Sequence, residues 1–168
     1  MKRLTLLRHA KSSWDDQGAA DHDRPLAKRG MRDAPWIGER LAAQGLKPSL
    51  LLTSSALRAR QTTALVEPPL RHAALKIHVD SEIYLATPDT LLRILSAQSD
   101  AIDDLVLIGH NPGLTQLANM LLPDLKLDNL PTAGAVGLRC TTDSWQTIDA
   151  ADFSLLFYEY PKKGSDPN

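Results

Sequence analysis

Three short apolar runs constrain this chain more than any other feature: Leu4 with Leu6 and Leu7, Leu50-Leu51-Leu52, and Leu105-Val106-Leu107-Ile108. Each is too short for a buried helix, and each is followed by a longer stretch in which apolar residues return every three or four positions. Strands alternating with helices imply a parallel sheet, because neighbouring parallel strands are joined by crossovers that lay helices on the sheet's faces. The expectation is an α/β, three-layer sandwich with a mostly parallel central sheet of about six strands. At 168 residues, 43% of them hydrophobic, the chain can bury that core as one domain. The domain is expected over 1–160, with 161–168 as a loose C-terminal tail.

Taken in order, the first strand ends at Arg8-His9, and the polar stretch 11–23 with Gly18 reads as a loop over that end. Arg24-Pro25-Leu26 is extended, because a residue before proline is pushed out of the helical region. A helix follows to about Gln44, with Ile37 and Leu41 inside and Gly45 as its stop. Pro35 marks either a kink or a first turn capped by Asp33. The second strand covers 49–53 and a helix covers 56–66, closed by Pro68-Pro69. Alternation of Leu75, Ile77 and Val79 with Lys76, His78 and Asp80 predicts a half-buried strand, and His22, His72 and His78 read as solvated. Thr87-Pro88 caps a helix carrying Leu91, Leu92, Ile94 and Leu95. The continuous run 105–108 is a central strand covered on both faces, with a helix after it to about Leu122. Segments 135–140, 145–148 and 153–158 read as three further strands, some antiparallel.

Composition narrows the function. The formal charge of −1 gives no global reason for a nucleic-acid or membrane partner, and at 5% aromatic residues there is no interleaved basic-aromatic surface. The charge is uneven, however: residues 1–84 hold 14 Lys and Arg against 9 Asp and Glu, and residues 85–168 hold 5 against 11. Early arginines that follow apolar runs suit an anion held in a pocket. Cys140 is the one cysteine, so a disulfide framework and a cysteine zinc site are excluded and a cytoplasmic setting is expected. Arg8 and His9 interrupt the first apolar run too early for a secretion signal, and no stretch is long enough for a bilayer span.

The chemistry gathers at strand ends. The first strand ends in Arg8-His9, the second leads to Arg58 within a few residues, and the 105–108 strand ends in His110. Ligands of open α/β sheets sit beyond the carboxyl ends of the strands, so two histidines and two arginines converge on one crevice. Ser54 or Ser55 is positioned to cap the helix bearing Arg58, and Asn111 the helix after His110, with Pro112 at its first position. Both helix ends then direct amide groups at an anion. A phosphoryl group fits better than a carboxylate, since its three oxygens suit forked arginine donors.

Leu6-Leu7-Arg8-His9-Ala10 with Lys11-Ser12-Ser13-Trp14, then Asp23-Arg24-Pro25-Leu26 with Arg29-Gly30, then the run Ser54 to Thr62, then Ile108-Gly109-His110-Asn111-Pro112 resemble, in order, the motifs of the histidine phosphatase superfamily. The short form resembles its SixA-type phosphohistidine phosphatase branch. The resemblance spans residues 4–113 and leaves the C-terminal third without a distinctive match. It implies a phosphoglycerate-mutase-like fold and a metal-independent hydrolase that needs no cofactor. By that resemblance His9 is the nucleophile that becomes transiently phosphorylated, while Arg8, Arg58 and protonated His110 hold the phosphoryl oxygens. Two departures stand out. Ala10 replaces the glycine common after Arg-His, and no asparagine follows the nucleophile to complete the pocket, so Ser12, Lys11 and Arg24 are the candidates to fill that place. Glu82, just after the third strand, stands where the superfamily carries its general acid.

Between residues 83 and 105 one helix uses most of the chain, leaving no room for a lid over a small metabolite. An open site suits a phosphorylated side chain on another protein, here phosphohistidine in a phosphotransfer or phosphorelay protein, with inorganic phosphate as product. A small phosphate ester or polyphosphate is the alternative substrate for the same chemistry. A non-catalytic phosphate-binding module is a further alternative, one for which His9 would be superfluous.

Overall fold

In the computed structural model, residues 1–161 are described. A six-stranded sheet has the order β3-β2-β4-β1-β5-β6. β1 (Lys2–Arg8), β2 (Leu50–Ser54), β3 (Lys76–Asp80) and β4 (Asp104–Gly109) are parallel, and β5 (Ala135–Cys140) and β6 (Phe153–Glu159) join antiparallel. The architecture is the expected α/β sandwich. Strand alternation sorts the side chains between two buried layers. Leu4, Leu6, Leu50, Leu52, Leu105 and Leu107 face α3 (Pro88–Ser96) and α4 (Gly113–Leu121). Leu7, Leu51, Val106 and Ile108 face α1 (Lys28–Ala43) and α2 (Leu57–Val66).

β4 lies between β2 and β1, so the chain reverses its direction of travel across the sheet at β1–β4, and a crevice opens beyond the carboxyl ends of these strands. Arg8 pairs in register with Gly109. The next residue of each strand is therefore a histidine, and the rings of His9 and His110 lie 5.1 Å apart.

Several local expectations change. α1 starts at Lys28 and runs through Pro35, so Asp33 does not cap it; Asp33 is buried inside it, paired with Arg29 and Arg32. The helix stops as expected, with Gly45 at φ +80°, a conformation glycine adopts without a Cβ penalty. β3 is an edge strand uncovered on both faces, and Ile77 and Val79 are about half exposed, so it is not half-buried. Trp145–Ala150 is a 3₁₀ segment and not a strand: the Ser144 hydroxyl accepts from the Gln146 amide, and the fully buried Trp145 donates its indole N–H to the Ile102 carbonyl at 2.8 Å. The tail expected from Pro161 onward lies, beyond Pro161 itself, outside the described residues. Among the described residues, no helix is long and apolar enough to cross a membrane.

Candidate active site

The crevice has a volume of about 200 Å³, and its lining includes Arg8, His9, Lys11, Ser12, Arg24, Arg58 and His110. Seven of the eight site residues expected from sequence thus meet in one place. Glu82 does not: it is not among the lining residues, and its exposed carboxylate pairs with Arg93 on α3.

His9 is buried, and its Nδ1 lies 2.7 Å from the Ala10 carbonyl oxygen. A carbonyl can only accept, so Nδ1 carries the proton and Nε2 keeps its lone pair. The His9 pKa is lowered to about 3, chiefly by burial, against the raising effect of the Ala10 bond and with help from His110, Arg58 and Arg8. His9 is neutral near pH 7, the state a nitrogen nucleophile needs. The Ala10 amide in turn donates to the Thr62 hydroxyl at 3.0 Å, and that hydroxyl donates to the Arg58 carbonyl at 2.7 Å. One buried side chain therefore ties the loop after His9 to the helix that carries Arg58.

Arg58 aims its Nε at His9 Nε2, 3.4 Å away, and gives its terminal nitrogens to Asp21: one to the backbone carbonyl at 2.6 Å, one to the carboxylate at 3.1 Å. Arg8 donates to the Leu130 carbonyl at 3.1 Å, while its Nε is buried without a hydrogen-bond partner among the described residues. Burial, then Arg58, pulls the Arg8 pKa below its ordinary value. Arg24 donates to Ser12 Oγ at 2.9 Å and to Asp21 at 3.2 Å, and its guanidinium stacks 3.5 Å from the Trp14 ring. Ser12 thus orients Arg24, and Lys11 completes the basic wall. Among the described residues, no group of three His, Cys, Asp or Glu side chains could hold a metal ion.

His110 Nε2 lies 2.7 Å from Ser54 Oγ, and its Nδ1 is buried without a hydrogen-bond partner among the described residues. Its pKa is lowered to about 4, first by burial and then by Arg58, with Asp21 opposing. Without a bound anion, burial and the neighbouring arginines favour the neutral ring of His110. The two helix caps also differ. Neither Ser54 nor Ser55 caps α2, where Ala56 occupies the cap position; the Ser54 hydroxyl accepts from the Ala56 amide, and Ser55 pairs with His22 at 2.9 Å. Pro112 holds the cap position of α4 and not its first turn, while Asn111 Oδ1 accepts from the Thr115 amide and hydroxyl.

Sequence reasoning missed Asp21 and Tyr84. The Tyr84 hydroxyl donates to the Asp21 carboxylate at 2.5 Å, and this bond, aided by Arg58 and Arg24 and opposed by burial, lowers the Asp21 pKa to about 2. The same contact raises the Tyr84 pKa. His22, read as solvated, stacks edge-on against Tyr84, which also stacks on His110. His72, likewise read as solvated, is engaged with the Pro48 carbonyl, whereas His78 is exposed as expected. An acidic residue in a polar loop carries no signal of such a role. The loop at 130–134 was missed as well: Leu130 receives Arg8 and Asn111, and Ala133 donates to the Arg8 and His9 carbonyls.

Residues 4–83 match the model of the histidine phosphatase superfamily (branch 1). An uncharacterized chloroplastic protein of Arabidopsis thaliana is 35% identical over 154 residues, covering 86% of this chain and 69% of the relative. An uncharacterized protein of Mycobacterium tuberculosis is 32% identical over 167 residues, covering 93% and 100%. Among solved structures, a proposed phosphohistidine phosphatase SixA from Agrobacterium tumefaciens superposes with a TM-score of 0.81 at 30% identity, over 96% of this chain and 99% of its own. A protein histidine phosphatase SixA in complex with tungstate superposes at 0.77 over 93% and 95%, and at 20% identity it speaks for the fold alone.

Proposed function

The chain belongs to the histidine phosphatase superfamily, and from that premise we propose that it is a metal-independent phosphohistidine phosphatase working through a covalent intermediate on His9. The observation that carries the proposal is the geometry at His9: Nδ1 against the Ala10 carbonyl, which leaves the lone pair on Nε2, and the guanidinium groups of Arg8 and Arg58 in the same crevice, with burial favouring the neutral ring.

Nε2 attacks phosphorus in line, the bond to the leaving group breaks, and the leaving group departs with the electron pair. Arg8, Arg58, Arg24 and Lys11 offset charge on the phosphoryl oxygens. A dianion brought beside His110 opposes the burial and the cations that hold its pKa down, so His110 takes up a proton as the phosphoryl group arrives. Water then displaces His9 from phosphorus and inorganic phosphate leaves. A phosphohistidine whose far ring nitrogen carries a proton from solvent leaves as neutral imidazole, a far better leaving group than an alkoxide, and needs no acid positioned at the breaking bond. The absence of Glu82 from the crevice wall therefore favours a phosphoramidate over an ester. The substrate in this reading is phosphohistidine on a phosphotransfer protein, in keeping with the likeness to a proposed phosphohistidine phosphatase and with a crevice open enough for a protein side chain. No nucleic acid, membrane or cofactor enters it, and the setting is the cytoplasm.

The test is a substrate screen of wild type beside His9→Ala, with a phosphohistidine protein, p-nitrophenyl phosphate and polyphosphate. Acid-labile phosphate trapped on His9 and preference for the phosphohistidine protein are expected. Full activity in His9→Ala, or no acid-labile phosphate, overturns the mechanism. Much faster turnover of the small compounds moves the substrate to those.

A further inference from the structure

All three guanidinium nitrogens of Arg58 are engaged, and Asp21 takes both terminal ones. Asp21 opens a short 3₁₀ turn, Asp21–Asp23, on the loop that follows His9. It also receives Arg24 on its other carboxylate oxygen, so a single acidic residue bridges two arginines of the phosphoryl site. A forked Arg–phosphate contact needs donors that point the same way. A phosphoryl group reaching for Arg58 must therefore share them with, or take them from, this carboxylate. The Asp21 side chain is 45% exposed, which leaves it room to yield, and the Tyr84 hydroxyl donates to the same carboxylate oxygen that Arg58 contacts.

We propose that Asp21 is a positioning residue with a second, opposing effect: it aims Arg58 Nε at His9, and as an internal competitor for the terminal nitrogens of Arg58 it limits how tightly inorganic phosphate is held. A wall of four cations, Arg8, Lys11, Arg24 and Arg58, retains a divalent product strongly, and a site that must turn over benefits from a carboxylate that reclaims the guanidinium as phosphate leaves. The tie to Asp21 also keeps Arg58 in place between turnovers. This inference rests on the phosphatase reading for its purpose, although its measurable content is phosphate affinity.

The experiment is calorimetric titration of inorganic phosphate into wild type, Asp21→Asn, Asp21→Ser and Tyr84→Phe, with thermal melts to confirm folding. Asp21→Asn keeps an oxygen acceptor and the backbone carbonyl for Arg58 but removes the charge. It is expected to bind phosphate about tenfold more tightly, a size reasonable for removing one charge beside a dianion in a partly exposed site. Asp21→Ser is a second neutral variant in which the same direction is expected. Tyr84→Phe removes the hydroxyl but leaves the Asp21 charge, and it is expected not to tighten binding. Unchanged, weaker or absent phosphate binding in the neutral variants overturns the proposal, as does equal tightening in Tyr84→Phe. Because no turnover is involved, a failure to trap phosphate on His9 sinks the phosphatase reading without deciding the fate of Asp21.

Discussion

Thr62 is the cleanest place to ask whether the site is held together as its hydrogen bonds indicate. Its hydroxyl is fully buried, accepts the Ala10 amide at 3.0 Å and donates to the Arg58 carbonyl at 2.7 Å. Thr62→Val keeps shape and volume and removes only the hydroxyl. The Arg58 carbonyl loses one of its two acceptor bonds if the helix bond remains, so its cost is small. The Ala10 amide, by contrast, becomes a buried donor without a partner, which costs about 1–3 kcal/mol. Spread over a domain of this size, that is a fall in Tm of roughly 4–8 °C at the middle of the range. The activity effect is separate. The Ala10 carbonyl fixes the proton on His9 Nδ1, and loosening Ala10 allows the ring to present the wrong nitrogen. Formation of phosphohistidine on His9, followed by quenched flow with labelled substrate, is expected to slow by about tenfold or more while phosphate binding changes little. A variant that melts within about 1 °C of wild type, against the cost worked from the orphaned amide, refutes the assignment of Thr62 as the tie between the two halves of the site.

Three further outcomes follow from the same geometry. The pKa values of His9 and His110 are lowered to about 3 and about 4 from 6.5. The unfolded chain therefore gains protons below about pH 6.5 that the folded one refuses, and stability present above that pH is lost as pH falls towards 4, by up to about 1.4 kcal/mol per unit and histidine; melts from pH 7 to 4.5 on wild type and His9→Asn test this, and the variant is expected to show the shallower slope. Gly30→Ala places a Cβ 2.2 Å from the Lys11 carbonyl oxygen, in the loop that carries the basic wall; a loss of about 2 kcal/mol together with weakened phosphate binding is expected, to be read by denaturant unfolding and phosphate titration. Glu82→Gln is expected to change kcat/KM for a phosphohistidine protein by less than about twofold, because its carboxylate faces Arg93; a large loss in a steady-state assay restores it as an acid.

What was legible in the sequence was legible for physical reasons. Runs such as 105–108 are apolar throughout because β4 is covered on both faces, and the polar residues at which such runs stop are the ones at the crevice. Residues 145–148 read as a strand from sequence but form part of a 3₁₀ segment. The backbone there is set instead by the Ser144 hydroxyl and by the cavity that Trp145 fills, neither of which has a periodicity. β3 has the alternation of a half-buried strand, but its burial depends on a covering layer, and at this edge of the sheet both faces are exposed. Asp21 and the 130–134 loop act through contacts between segments distant in sequence: Arg8 reaches Leu130 across 122 positions. No local pattern encodes such a pairing.

The least obvious consequence of the fold is that one arrangement sets both the protonation state of His9, the proposed nucleophile, and the affinity of the crevice for a phosphoryl group. Burial beyond β1 and β4, with the cations around it, makes protonation of His9 unfavourable. The same cations favour a dianionic phosphoryl group next to it. Any change that dilutes the positive field therefore acts twice, raising the fraction of His9 that is protonated at a given acidic pH and weakening substrate binding. Neutralising Arg58 should shift the acidic limb of kcat/KM upward in pH as well as raise KM. Replacing a purely binding cation on the rim should raise KM alone. The acidic limb of kcat/KM read beside KM thus separates the residues that tune His9 from those that only hold phosphate, and the causes of the lowered His9 pKa put Arg8 and Arg58 in the first group.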